Sequence, residues 1–258
     1  MLPFALREVR KRKSRIKAQD YLGFALVGVL NVCISMLFLQ FSIFYGKANL
    51  AALIVSSNPL FVTIFAAALI SETITKLQII ELAIGLTGLI LIILGESEAI
   101  LSSANLGMAI IFGLIASTTF ALSTVYSKKL VVQLGNMITL CSAFFMGSAT
   151  LLIFSLLTHK ALFFTPTLKN IGLMLYLGIF VSGIAYILYF NAMKVIGAAR
   201  ASMYFFLKPA FACTLAWLIH NEMLESVQLV GIVLIMLSLS RKYFASLIFG
   251  TPELKAAK

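Results

Sequence analysis

Charge is scarce in this sequence. Of 258 residues only 11% are Asp, Glu, Lys or Arg, against 61% apolar, whereas a soluble domain carries roughly 25% charged residues to cover its water-facing surface. A soluble globular protein is therefore excluded. Acids are scarcer still: nine Asp and Glu stand against 20 Lys and Arg, for a net charge of +11. Cys33, Cys141 and Cys213 all lie inside apolar runs, which argues against a disulfide framework and makes them small packing residues. His159 and His220 fall between apolar runs, and HExxH, GxSxG, phosphate-cradling glycine motifs and clusters with metal-ligand spacing are absent. Nothing here resembles a catalytic apparatus, so the expectation is no enzyme, no metal and no other cofactor. The bases border apolar runs and form no aromatic-interleaved patch, so nucleic acid is not an expected partner.

What the sequence does have is length without polarity. Residues 21–45, 48–70, 78–95, 105–126, 137–157, 170–192, 198–219 and 227–247 are mostly apolar runs, each enough to cross a hydrocarbon core of about 30 Å at about 1.5 Å per residue. They must be helices, because unpaired backbone groups cannot face lipid and the alternation of a membrane barrel is missing. The reading is an all-α integral membrane protein of eight transmembrane helices in the lipid bilayer.

Orientation follows from the bases. With Arg7, Arg10, Lys11, Arg12, Lys13, Arg15 and Lys17 in the cytoplasm, eight crossings bring Arg241, Lys242, Lys255 and Lys258 back to the same side. Lys76, Lys128, Lys129, Lys194 and Arg200 also fall inside, and the loops with Glu96 and Glu98 and with Glu222 and Glu225 fall outside. Both termini are predicted cytoplasmic, in the cell (plasma) membrane. The first run lacks a small-residue cleavage signal and ends at Tyr45, an interfacial residue type, so it reads as an uncleaved anchor and not a signal peptide.

Sliding the sequence by about 150 residues on itself brings Gly28 onto Gly178, Ala48 onto Ala198, Pro59 onto Pro209, Phe61 onto Phe211, Glu72 onto Glu222 and Gln78 onto Gln228. Five helices, an odd number, separate the starts of the two copies, so the copies are inverted in the membrane. Inverted repeats around a midplane site are the usual architecture of secondary transporters. The division is a basic segment 1–20, a first repeat 21–95, a second repeat 105–247 and a tail 248–258.

The stretches Asn58-Pro59-Leu60-Phe61 to Glu72, and Ala201 through Lys208-Pro209-Ala210-Phe211 to Glu222, resemble the two halves of EamA-type members of the drug/metabolite transporter superfamily. The resemblance covers 21–95 and 105–245. It implies ten helices, five per half, where this sequence has three and then five, and Met1 to Leu6 looks like the tail end of a second helix. The first repeat is thus expected to be incomplete, through truncation, a misassigned start, or as an eight-helix variant. The resemblance marks Glu72 and Glu222 as characteristic; physically, an interfacial acid capping the next helix is the stronger reading.

Pro59 and Pro209 sit near the middle of their spans. Each removes the donor for the carbonyl four residues back, at Val55 and Phe205, and matched Pro-interrupted helices are the best pointer to a transport site. A packing kink is the alternative. Lys208, about 15 Å from either end of its helix, is too deep to snorkel comfortably and should face the bundle interior or a wet cavity, as a cationic site for a carboxylate or phosphate or as a proton-coupling group. The alternative is an ion pair or a cap on the freed carbonyls; Glu81, the acid inside a span, sits roughly 9 Å shallower. Asn58 stands at the position of Lys208 in the first copy, and Tyr204, Phe205 and Phe211 share a face with Lys208. Asn31, Ser35 and Ser42 share one face of the first span, as do Ser182, Tyr186 and Tyr189 of the sixth; pathway lining and interhelical hydrogen bonds explain them equally well. Ala143 with Gly147 and Gly178 with Ser182 are small-xxx-small pairs suited to close packing.

These features predict a secondary transporter of small organic metabolites, amino-acid-like or other polar or anionic solutes, working by alternating access. Lys208, Asn58, Pro59, Pro209, Tyr204, Tyr186 and Asn31 are its candidate substrate-binding residues, and a homo-oligomer is left open. The rival readings are a truncated or non-transporting membrane subunit and, with less support, a lipid-modifying membrane enzyme.

Overall fold

A computed structural model describes Glu8 and residues 17–95, 105–158, 166–220 and 224–249. The eight apolar runs are helices α1 (Ala18–Gly46), α2 (Ala48–Ile70), α3 (Lys76–Leu94), α4 (Leu106–Leu134), α5 (Asn136–Leu157), α6 (Leu168–Ile196), α7 (Ala198–Ile219) and α8 (Ser226–Phe249), and the described residues contain no strand. The first seven are long and apolar enough to cross a membrane; the described apolar part of α8, Ser226–Ser240, is shorter. Most boundaries fall close to the sequence expectation. The end of α4 does not: the helix runs two turns beyond residue 126, because Lys128 does not mark a loop. Its Nζ pairs with Glu72 Oε2 at 2.6 Å, which neutralises it inside the helix.

Local chemistry sets the breaks. Gly135 (φ 103°) and Gly197 (φ 92°) adopt backbone angles that side chains disfavour, and there α4 turns into α5 and α6 into α7. A carboxylate caps the helix that follows each glycine. Glu8 accepts from the Ile138 N–H at 3.0 Å, and Glu72 accepts from Ala198 N–H at 3.1 Å and Ala199 N–H at 3.3 Å. Glu72 is therefore a cap, though not of the next helix as expected. That helix, α3, caps itself through Thr75 and Gln78, which exchange side-chain bonds with each other's backbone N–H.

The internal repeat is visible in the backbone. α1 widens into a π-helix at Val29–Ser35 and α6 at Leu177–Ile184, positions that coincide after a shift of about 150 residues. The chain also loosens just before each proline, as a turn at Ser56–Ser57 ahead of Asn58-Pro59 and as a 3-10 turn at Tyr204–Phe206 ahead of Lys208-Pro209. The equivalent helices α3 and α8 meet each other. A Cβ on Gly88 would stand 2.7 Å from the Gly231 carbonyl oxygen and one on Gly231 2.6 Å from that of Gly88, while Ile235 and Ile92 close over the two glycines. There are two main cores, and the second contains the isoleucines of this seam. One joins Val62 and Ala66 to Ala121 and Val125 of α4, Phe190 of α6 and Ala198 of α7; the other joins Leu82 and Ile92 of α3 to Phe206 and Ala210 of α7 and Ile235 of α8.

Candidate functional site

Pro59 has no N–H to offer Val55, and the Leu60 N–H turns to the Ser57 carbonyl at 3.0 Å. The hydroxyls of Ser56 and Ser57 bond back to Ala52 O at 2.7 Å and Ile54 O at 2.6 Å, which seals the end of the preceding helix. Asn58 begins the next segment with its side chain 1% exposed, and neither its Nδ2 nor its Oδ1 has a hydrogen-bond partner. An amide offers two donors and an acceptor oxygen, and leaving such a group buried and unpaired costs about 1–3 kcal/mol. The sequence placed Asn58 at this depth; its lack of a partner emerges only from the packing.

Lys208 occupies the equivalent place on α7 in different surroundings. Its Nζ lies 4.0 Å from the centroid of the Phe205 ring, a cation–π contact, but the side chain is exposed, as are Tyr204, Phe211 and Leu215 along the same stripe. Lys208 is therefore not sealed inside the bundle. In the first copy the corresponding stripe begins with Ile54 and Asn58 and is covered by α4, whose Ala109 clusters with Ile54. No described helix covers the α7 stripe. Lys208 forms no ion pair among the described residues, and Glu81 is buried on α3.

Asn31 and Tyr186 do come together. The Tyr186 hydroxyl donates to Asn31 Oδ1 at 3.2 Å, linking the π segment of α1 to α6. Tyr186 then begins a run of ring contacts: Phe144 at 5.0 Å, Phe190 at 6.0 Å, from Phe190 to Tyr189 at 6.3 Å, and from Tyr189 to Phe205 at 5.0 Å. The aromatic path therefore leads from Asn31 to the ring beneath Lys208, with Phe120 of α4 also on Phe205 at 5.8 Å. Phe144, Phe190 and Phe120 were not singled out in the sequence, although Phe190 follows Tyr186 at i+4. Pro59 and Pro209 are buried, and Tyr204 is 46% exposed outside this path.

The two polar stripes resolve differently from their spacing. Ser35 and Ser42 donate to the Ala116 and Ala109 carbonyls of α4 at 3.0 and 2.8 Å, so they are interhelical glue. Asn31, within the π segment Val29–Ser35, is bonded to Tyr186 of α6 instead. Ser182 is exposed. Of the small pairs, Ala143 and Gly147 pack against Gly28, where a Cβ would stand 2.7 Å from the Gly147 nitrogen, whereas a Cβ on Gly178 would meet nothing within 4 Å. His220 ends a helix, while His159, Glu222 and Met1 to Leu6 lie outside the described residues.

The paired helix breaks and the duplicated π turns describe a two-fold unit, and a model of the EamA-like transporter family matches residues 1–94 and 107–240. The chain belongs to the EamA-like transporter family. It is accordingly a membrane transporter in general terms and an integral, multi-pass membrane protein. A relative named as an uncharacterized transporter in Clostridium kluyveri is 36% identical over 92% of this chain and 76% of its own length. Protein PecM of Dickeya dadantii is 29% identical over 81% of this chain and 69% of its own. A crystal structure superposes with a TM-score of 0.67 at 13% identity, covering 97% of this chain and 94% of that one; at that identity the likeness is one of fold.

Proposed function

We propose that this protein is a secondary transporter that moves small polar or anionic organic solutes, amino-acid-like ones among them, across the cell membrane by alternating access, with both termini in the cytoplasm. The observation that carries the reading is the Asn58 amide, buried and unpartnered where a proline breaks the helix, at a position the second repeat fills with an ammonium group. A solute carrying a carboxylate and a second polar group matches that pair: the amide supplies donors and an acceptor, Lys208 the charge, and the ring of Phe205 a flat apolar wall. No enzymatic step is required of any residue.

Uptake into liposomes of candidate solutes tests it, beginning with a panel of amino acids and small carboxylates. Asn58→Leu keeps the volume and removes the unpaired amide, so it should leave thermal stability unchanged or raised while flux falls by about tenfold or more. Lys208→Met should abolish flux of anionic solutes with the protein still folded. Unchanged flux in both variants overturns the site. The bare Gly178 face favours one rival, a truncated or non-transporting membrane subunit; purified protein that shows neither flux nor ligand-induced thermal stabilisation would select it.

A further inference from the structure

At the opposite extreme from the midplane, where α1 begins and α4 ends, lies a cavity of about 670 Å³ that the transport reading does not use. Its polar rim holds Lys17 and Lys129, and its wall is built from Leu22, Leu26, Tyr126 and Leu130. Lys128, one residue before Lys129, is neutralised by Glu72 at 2.6 Å, but neither Lys17 nor Lys129 forms an ion pair among the described residues. Asp20 also lines the cavity, and its Oδ2 accepts the Lys17 backbone N–H at 2.8 Å at the start of α1. Two exposed ammonium groups and one carboxylate, Asp20, therefore share one concave site, whose lining is net positive.

The wall decides what the site is shaped for. Leu22 is 74% and Leu26 42% exposed, and they continue down α1 for about 13 Å from Lys17 at 1.5 Å per residue, toward the hydrocarbon core. A free anion needs no such wall. A phospholipid does: its phosphate sits between two cations at the water boundary and its acyl chains lie along leucines. The sequence that precedes Lys17 is also rich in bases. Glu8 is tied to the start of α5 by its bond to Ile138 N–H at 3.0 Å, and the sequence between it and Lys17 carries Arg10, Lys11, Arg12, Lys13 and Arg15 with no acid. Basic pockets between helices at a membrane face are suited to anionic headgroups.

We infer that the cavity between the start of α1 and the end of α4 binds the headgroup of an anionic phospholipid through Lys17 and Lys129. The test uses the whole protein in a neutral detergent, its unfolding followed by the fluorescence of Trp217, the single tryptophan. Phosphatidylglycerol should raise the melting temperature by about 3 °C or more, and phosphatidylcholine and inorganic phosphate should not. The double substitution K17Q/K129Q should lose at least half of that shift, and K17R/K129R, which keeps the charge, should retain it. Native mass spectrometry of the wild type should show phosphatidylglycerol retained in preference to phosphatidylcholine. An equal shift with phosphatidylcholine, a full shift in K17Q/K129Q, or no preferential retention overturns the inference. A shift reproduced by inorganic phosphate alone makes the site one for free anions and overturns the assignment to lipid.

Discussion

Gly28 and Gly178 hold the same place in the two copies of the repeat, yet only one of them is covered. The backbone of α5 lies directly on Gly28, whereas nothing stands within 4 Å of a Cβ placed on Gly178. The same contrast separates Asn58, 1% exposed beneath α4, from the exposed Lys208. Position within a repeat fixes the backbone, including the π turns and the broken helices, but burial is set by whichever helix is laid across that position. α4 and α5 cover α1 and α2 there, whereas the stripes of α6 and α7 that carry Gly178 and Lys208 have no such cover among the described residues.

Exchanging the paired residues sharpens this contrast most. Asn58→Lys puts an unpaired charge into a closed site and should cost about 3–5 kcal/mol or prevent accumulation of folded protein, while Lys208→Asn should stay within about 0.5 kcal/mol of wild type. Reversible unfolding in mixed detergent micelles measures both, and equal costs would erase the distinction. Next, Gly28→Leu must push α5 away and should lose about 2–3 kcal/mol, whereas Gly178→Leu should be neutral by the same measurement unless a further helix docks there. Glu72→Gln removes the charge that serves both Lys128 and the start of α7 and should cost about 1–2 kcal/mol, moderated by partial solvent exposure; thermal melts at low and high salt would show whether the loss is electrostatic. Least of all, Tyr186→Phe deletes the 3.2 Å bond to Asn31 and should cost about 0.6 kcal/mol, with Ser182→Ala as the silent counterpart on the uncovered side.

Much of the fold was legible in the sequence because a bilayer imposes a coarse rule: a helix long and apolar enough to cross is conspicuous, and a shift of about 150 residues exposes the duplication. Faces were harder to read. A helix apolar on every side gives no periodic signal, so the sequence could set the depth of Lys208 but not what lies over it. The end of α4 was missed because a lysine pair resembles a water boundary when the partner carboxylate, Glu72, is 56 residues away. For Asn31, Ser35 and Ser42 the spacing left pathway lining and interhelical hydrogen bonds equal, and the partners that decide between them, on α4 and α6, are far away in the sequence. Asn58 was named for its place beside a proline, and only three-dimensional packing shows that its amide goes unanswered.

The helices also differ in reach. α1, α4 and α6 are 29 residues each, and α2, α3, α5 and α7 are 19 to 23. At 1.5 Å per residue the three longer ones extend about 43 Å, against a hydrocarbon core of about 30 Å. They must lean, bend or stand proud of the lipid by about 13 Å in sum, while the shorter ones fit nearly upright. Bilayer thickness therefore acts on one set of helices and hardly on the other, so a thicker membrane would draw the long trio toward the vertical and change their angle to the rest.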